Sequence, residues 1–158
     1  MRLMAIDPGL QGTGVAIWNS TSHVPIHCDV LNGPKGVDWI RRVDTIAVQV
    51  SRLVQQYQVD GIVCEMMEFH GTAKSAMSWH GDLQRTLILI GTIYGMTRIR
   101  CPFFRLTPPS EWKGQLPKSV TIRRVRRAIG REACRKLAIT THAWDAVGIG
   151  LWHKKVIK

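Results

Sequence analysis

Four side chains stand out by type and position. Asp7 closes the apolar run Leu3-Met4-Ala5-Ile6 and opens the segment Asp7-Pro8-Gly9-Leu10-Gln11-Gly12-Thr13-Gly14. Glu65 directly follows the apolar run Ile62-Val63-Cys64. His142 and Asp145 are three residues apart, a spacing that puts both on one face of a helix. Acids at the carboxyl ends of strands lie where open sheets place their ligands. A helix N-terminus favours Asp145 in its ionised form. Alone, each also has a plain reading: Asp-Pro-Gly starts many turns, Glu65 reads equally as an exposed loop acid, and His142 with Asp145 as a surface pair at a helix start. Glu68 reads as a solvated loop residue. Taken together, the four can converge on one point. Hard carboxylate oxygens are what magnesium and manganese require. Two such ions about 3.5–4 Å apart can activate a water and stabilise the leaving oxygen of a phosphodiester.

The charge of the chain points to the same class of substrate. The 158 residues carry 22 Lys and Arg against 11 Asp and Glu, a formal net charge of +11. Basic chains seek polyanions, nucleic acid first and membrane surfaces second. No segment approaches the roughly 18 apolar residues that span a bilayer, and Asp7 interrupts the N-terminal apolar run, so neither a membrane span nor a leader is expected. Between Lys118 and Lys136, Lys118, Arg123, Arg124, Arg126, Arg127, Arg131, Arg135 and Lys136 face only Glu132, which places seven of the eleven net charges in 19 residues. A run this one-sided favours phosphate contact over a merely solvated face. A basic chain bearing clustered acids suggests a nuclease. The cysteines Cys28, Cys64, Cys101 and Cys134 form no C-x-x-C pair, so a zinc ribbon is not expected and reduced thiols are.

The elements that must position these residues follow from hydrophobic spacing. The two apolar runs flanking the first glycine-rich segment read as a hairpin of strands, and 23–30 as a third antiparallel strand. Val37, Ile40, Val43, Ile46, Val50, Leu53 and Tyr57 are spaced by threes and fours, which predicts a helix over 37–57. A short buried strand over 62–64 follows, then a polar loop over 68–75 and a long helix over 76–98. The centre of that helix, Leu87-Ile88-Leu89-Ile90, is apolar on every face and calls for partners on more than one side. A last strand over 103–106 stops at Pro108-Pro109. A loop over 111–117, a basic helix over 118–128 that continues to 136 past a break at Gly130, and a final helix over 142–154 capped by Thr140 or Thr141 complete the chain. Gly148 and Gly150 would let the final helix lie close to the sheet. A hairpin followed by strand, helix and strand implies one α/β domain over 1–158, with a mixed sheet of about five strands flanked by helices. The six tryptophans read by default as core or groove lining.

Ile6-Asp7-Pro8-Gly9 with Thr13-Gly14, then Cys64-Glu65, then His142-Ala143-Trp144-Asp145-Ala146 resemble, in order and spacing, the RuvC family of Holliday junction resolvases. Trp112-Lys113-Gly114-Gln115-Leu116-Pro117-Lys118 is most similar to the phage-encoded branch of that family. The resemblance spans about residues 1 to 153 and implies an RNase H-like fold. It implies that Asp7, Glu65, His142 and Asp145 bind metal and catalyse, with two Mg2+ per site and Mn2+ as a substitute. His142 holds a position that is Asp or His in the family, where an imidazole can also act as general base. Lys113 and Lys118 match lysines that serve DNA binding and cleavage, beside Arg123, Arg124, Arg126 and Arg127 on the basic helix. The family carries an aromatic residue three positions after its acid. Here that position is Glu68, and Phe69 follows it as the candidate to stack on a base.

The function expected is crossover junction endodeoxyribonuclease: paired phosphodiester hydrolysis of a four-way junction by a homodimer in the cytoplasm, that of the bacterial host if the chain is phage-encoded. The partner that delivers the junction stays open. A second reading is a broader nuclease for forks and flaps. A third is a catalytically inactive architectural DNA-binding protein, against which stand clustered acids that would repel phosphate. An actin-like ATPase domain shares the D-x-G turn but has no place for the basic helix.

Overall fold

The computed structural model describes residues 1–67 and 73–157, and the backbone alone for 73–80. Strand β1 (Leu3–Asp7) and strand β2 (Thr13–Trp18) form the expected hairpin, paired from Leu3 with Trp18 to Asp7 with Gly14. Strand β3 (His27–Leu31) adds antiparallel to β2, starting later than its apolar content suggested. Helix α1 (Trp39–Gln56) crosses over to strand β4 (Gly61–Glu65), which pairs parallel with β1. Helix α2 (Ala73–Thr97) leads to strand β5 (Phe103–Thr107), parallel to β4. The sheet order is β3-β2-β1-β4-β5. A short helix α3 (Pro109–Trp112), the basic helices α4 (Lys118–Ile129) and α5 (Arg131–Lys136), and helix α6 (Thr141–His153) complete the chain.

The central strands are continuous apolar runs because both faces of the sheet are covered. Met4, Ile6, Val15, Ile17, Ile62 and Cys64 join Val43, Ile46, Val50, Leu89 and Ile93 in one core, under α1 and α2. Their alternating neighbours Leu3, Ala5, Ala16, Trp18 and Val63 join Val125, Trp144, Val147 and Ile149 in a second core, under α4 and α6. This is why α6 reads as apolar nearly all round: it is clasped between sheet and basic helix, and every residue from Ala143 to Leu151 is buried. Its small residues set the depth. A Cβ on Gly150 would collide with the Trp18 ring, and one on Gly14 with the α6 backbone at His142, so helix and hairpin touch main chain to main chain.

Several boundaries differ from the sequence reading. Asp38 caps α1 by accepting from the Arg41 amide at 3.0 Å. Ile40 is exposed because the buried stripe runs through Val43, Ala47, Val50 and Val54, which places Trp39 rather than Ile40 on the inner face. Helix α2 begins at Ala73, inside the expected loop. The segment after β5 is not all loop: Pro109 starts α3, its fixed φ suiting a first helical turn. Thr140 is the N-cap residue of α6 but makes no side-chain cap bond. Glu68 and Phe69 lie outside the described residues, as do the side chains of Trp79 and His80. Among the described residues, no helix is long and apolar enough to cross a membrane.

Candidate active site

Asp7 is the last residue of β1, and Glu65 the last of β4. The two strands run parallel with Ile6 opposite Cys64, so the two acids leave neighbouring strands at the same level. Thr13 builds the turn after Asp7: its hydroxyl donates to the Gly9 carbonyl at 2.9 Å and accepts from the Gly9 amide at 3.3 Å. Thr13 is wholly buried, so the turn is part of the fold rather than a free loop. Gly14 then lets the start of α6 press against β2 and bring His142 to Asp7, with Nδ1 3.4 Å from Oδ2. The hydrogen bond to Asp7 raises the His142 pKa above its ordinary value, against the opposing effects of burial and of Lys118.

Glu65 is buried, with 6% of its surface exposed. Burial pushes its pKa up and the Asp7 charge adds to this, while Lys113 and the Trp112 hydrogen bond pull it down. Its Oε2 accepts from the Trp112 indole Nε1 at 2.6 Å and lies 3.3 Å from Lys113 Nζ. Asp145, one turn into α6 and also buried, accepts from Lys118 Nζ at 2.6 Å. The site thus pairs each carboxylate with a nitrogen cation or potential cation: Asp7 with His142, Glu65 with Lys113, Asp145 with Lys118. Among the described residues, no three acidic, histidine or cysteine side chains converge closely enough to ligate a metal ion as they stand. The donors are nonetheless the hard oxygens and imidazole nitrogen that a divalent cation takes, and the ammonium groups on Glu65 and Asp145 show that both oxygen sets already attract positive charge.

The arginines of the basic run line several cavities on α4 and α5. Arg126, Arg131 and Arg135 line a cavity of about 700 Å³ with Cys134, Ile139 and Trp144. Arg123 and Arg127 join Arg126 and Arg131 around a second one of about 590 Å³. The Arg126 guanidinium lies 5.1 Å over the Trp144 ring. Arg123, Arg126 and Arg127 have no carboxylate partner among the described residues, so their charge is available to an anion. Arg124 lines a further groove with Arg127, Val156 and Ile157.

Sequence reasoning missed Trp112. It assigned the tryptophans collectively to core or groove lining, and Trp112 is indeed buried, but its indole also grips Glu65, 47 residues away. The signal for it was local: a tryptophan, which carries a polar N–H that seeks a partner when buried, directly beside Lys113.

Neither protein-family models nor curated proteins give a match to the sequence. Solved structures do. The chain is similar to T. thermophilus RuvC in complex with a Holliday junction substrate, with a TM-score of 0.74 and 20% identity over 98% of this chain and 92% of that one. It is similar to another Thermus thermophilus RuvC structure, with a TM-score of 0.73 and 18% identity over 98% and 93% of the two chains. The yeast mitochondrial Holliday junction resolvase Ydc2 superposes with a TM-score of 0.58 and 15% identity over 98% and 81%. With the sheet order, the flanking helices and the placement of α6 across the hairpin, these matches establish that the chain has the fold of the RuvC-type Holliday junction resolvases.

Proposed function

We propose that the chain is a divalent-metal-dependent endodeoxyribonuclease that resolves four-way DNA junctions by paired nicking. What supports this reading is that Asp7 and Glu65 end neighbouring parallel strands, His142 lies against Asp7, and Lys113 and Lys118 contact Glu65 and Asp145. Asp7, Glu65, Asp145 and His142 would hold Mg2+, two ions per site, with Mn2+ as a substitute because it accepts imidazole readily. Bound there, the metal supplies an activated water and charge stabilisation at the leaving oxygen. The chain's own residues do the rest. Asp7 fixes the His142 ring through Nδ1, leaving Nε2 to ligate or to take a proton from water. Lys113 and Lys118 carry positive charge to the place where a scissile phosphate must sit. The arginines of α4 anchor the flanking DNA.

Paired nicking needs two active sites in a fixed relation, which a two-fold dimer provides. On α2, Leu89, Ile90 and Ile93 pack into the core, whereas Leu87, Ile88 and Tyr94 are 46–48% exposed. Such a row of outward apolar side chains on one helix suits burial against a second copy of the chain.

End-labelled four-way, fork, flap and linear substrates, incubated with Mg2+ and then with EDTA, test the proposal. Symmetric nicks on the four-way junction, dependent on the metal and lost in Asp7→Asn and Asp145→Asn, are expected. Equal cutting of forks and flaps would replace junction resolution with broader branch cleavage. Metal-independent cutting, or binding without cutting, would overturn the proposed chemistry.

A further inference from the structure

Glu65 stands at a strand end with three rotatable side-chain bonds, yet a useful ligand must present one oxygen in one direction. Its surroundings in the fold supply the constraint. Trp112 is only 4% exposed and closes the short helix α3, whose other end is pinned by Pro109. The far edge of its ring rests on α6 at Gly148, so closely that a Cβ there would lie 2.5 Å from Cζ3 and 3.2 Å from Cη2. The near edge donates Nε1–H to Glu65 Oε2 at 2.6 Å. Lys113 adds a 3.3 Å contact to the same oxygen, and its Nζ lies 4.7 Å from the Trp112 ring centroid. Oε2 therefore has two donors, one of them on a rigid, buried ring. Among the described residues, Oε1 has only Lys113 at 3.5 Å, a long contact from a flexible, partly exposed side chain. The ring cannot slide away from Glu65, because Gly148 and α6 stand behind it.

We propose that the Trp112 indole, seated against Gly148, is a positioning residue that holds the Glu65 carboxylate by Oε2 and leaves Oε1 as the oxygen offered to the cation. Neighbours that orient a metal ligand in this way characteristically contribute about 10–100-fold in metal affinity or activity. The inference rests on the metal-dependent reading above for what Glu65 binds, but the brace itself is a property of the fold. It makes Gly148, whose added Cβ would meet the Trp112 ring, a determinant of metal affinity.

The test has two arms. In the apo protein, the indole 1H–15N signal that vanishes in Trp112→Phe should be shifted downfield and slow to exchange, and should move upfield in Glu65→Ala. A signal indifferent to Glu65→Ala would overturn the brace whether or not the protein is a nuclease. In the second arm, Mn2+ binding is followed by electron paramagnetic resonance without DNA. Trp112→Phe keeps an aromatic ring but removes the donor, and should weaken Mn2+ binding about tenfold or more while the protein still melts cooperatively. Gly148→Ala should weaken it comparably by displacing the ring, and should add little in the Trp112→Phe background, because both changes break the same interaction. Wild-type Mn2+ affinity in Trp112→Phe, or additive effects of the two substitutions, would overturn the positioning role. A wild type that binds no Mn2+ would count against the metal-dependent function and against Oε1 as a ligand, while the indole signal would still report on the brace.

Discussion

Replacing Gly14 with alanine should cripple cleavage while sparing DNA binding. The new Cβ would sit 2.5 Å from the His142 carbonyl carbon and 3.0 Å from the Ala143 nitrogen, and closer still to the His142 oxygen. These are backbone atoms, so no side chain can swing aside. Restoring ordinary contact requires the start of α6 to retreat by about 1 Å in a tightly packed interior. Overpacking of this kind costs about 1–3 kcal/mol of stability. The larger effect falls on the site, because His142 and Asp145 ride on the displaced turn while Asp7 stays on β1. A misplacement of about 1 Å costs on the order of 100-fold in rate, equivalent to about 2.7 kcal/mol of barrier. Gly81→Ala on α2 is the control: a Cβ there meets nothing nearer than the end of the Arg85 side chain at 3.9 Å. Single-turnover nicking of a four-way junction at saturating Mg2+ measures the rate, mobility shift in EDTA the binding, and thermal melting the fold. A folded Gly14→Ala protein that cuts within threefold of wild type would refute the idea that this close approach sets the geometry.

Other outcomes follow from the same structure. Asp7→Asn should bind junctions as tightly as wild type or more tightly in mobility shifts, since a charge that repels phosphate is gone. Arg123→Ala, Arg126→Ala and Arg127→Ala combined should flatten the dependence of log affinity on log salt by up to about 0.9 for each phosphate no longer neutralised; an unchanged slope would remove α4 from the DNA interface. Leu87→Glu with Ile88→Glu should give a monomer by light scattering that retains its melting temperature, because both side chains point outward, whereas Leu89→Glu should unfold the protein. Glu65→Gln should stabilise the fold at neutral pH. Burial raises the Glu65 pKa above its ordinary 4.5, so the folded protein holds that proton more tightly than the unfolded chain and loses stability as the pH climbs through the raised pKa. The glutamine variant escapes that loss, so the melting-temperature difference should grow from acid to neutral pH and be absent below the ordinary value.

The strands were the most legible elements, because β1, β2 and β4 are short, apolar on both faces and bounded by glycine, aspartate or glutamate. The break at Gly130 and the start of α4 at Lys118 were legible for similar reasons of local punctuation. The N-terminal end of α1 was not, because Ile40 extends the spacing of the apolar stripe without lying on the buried face. In the site, Asp7 and Glu65 announce themselves by following apolar runs, and their shared level is a consequence of parallel pairing. The partners of Glu65 and Asp145 were illegible. Trp112 reaches 47 residues back and Lys118 reaches 27 forward, and nothing in a one-dimensional pattern specifies which acid a lysine will meet. The positions of Lys113 and Lys118 drew notice for DNA binding and cleavage, whereas in the fold they contact the acids.

That last feature bears on how the site loads. Because Lys113 and Lys118 contact oxygens of Glu65 and Asp145, a divalent cation bound as proposed would enter by exchange rather than by simple addition. Its binding free energy is the difference between two occupied arrangements, and the evicted ammonium groups must find another anion or face water. Under the proposed function, DNA phosphates would be that anion. Metal and DNA then each raise the apparent affinity of the other by the same factor, as reciprocity between linked equilibria demands. Under the proposed function, a protein built this way would hold metal weakly while it is free and tightly once a strand lies across the lysines, which would confine hydrolysis to the moment when a substrate is in place.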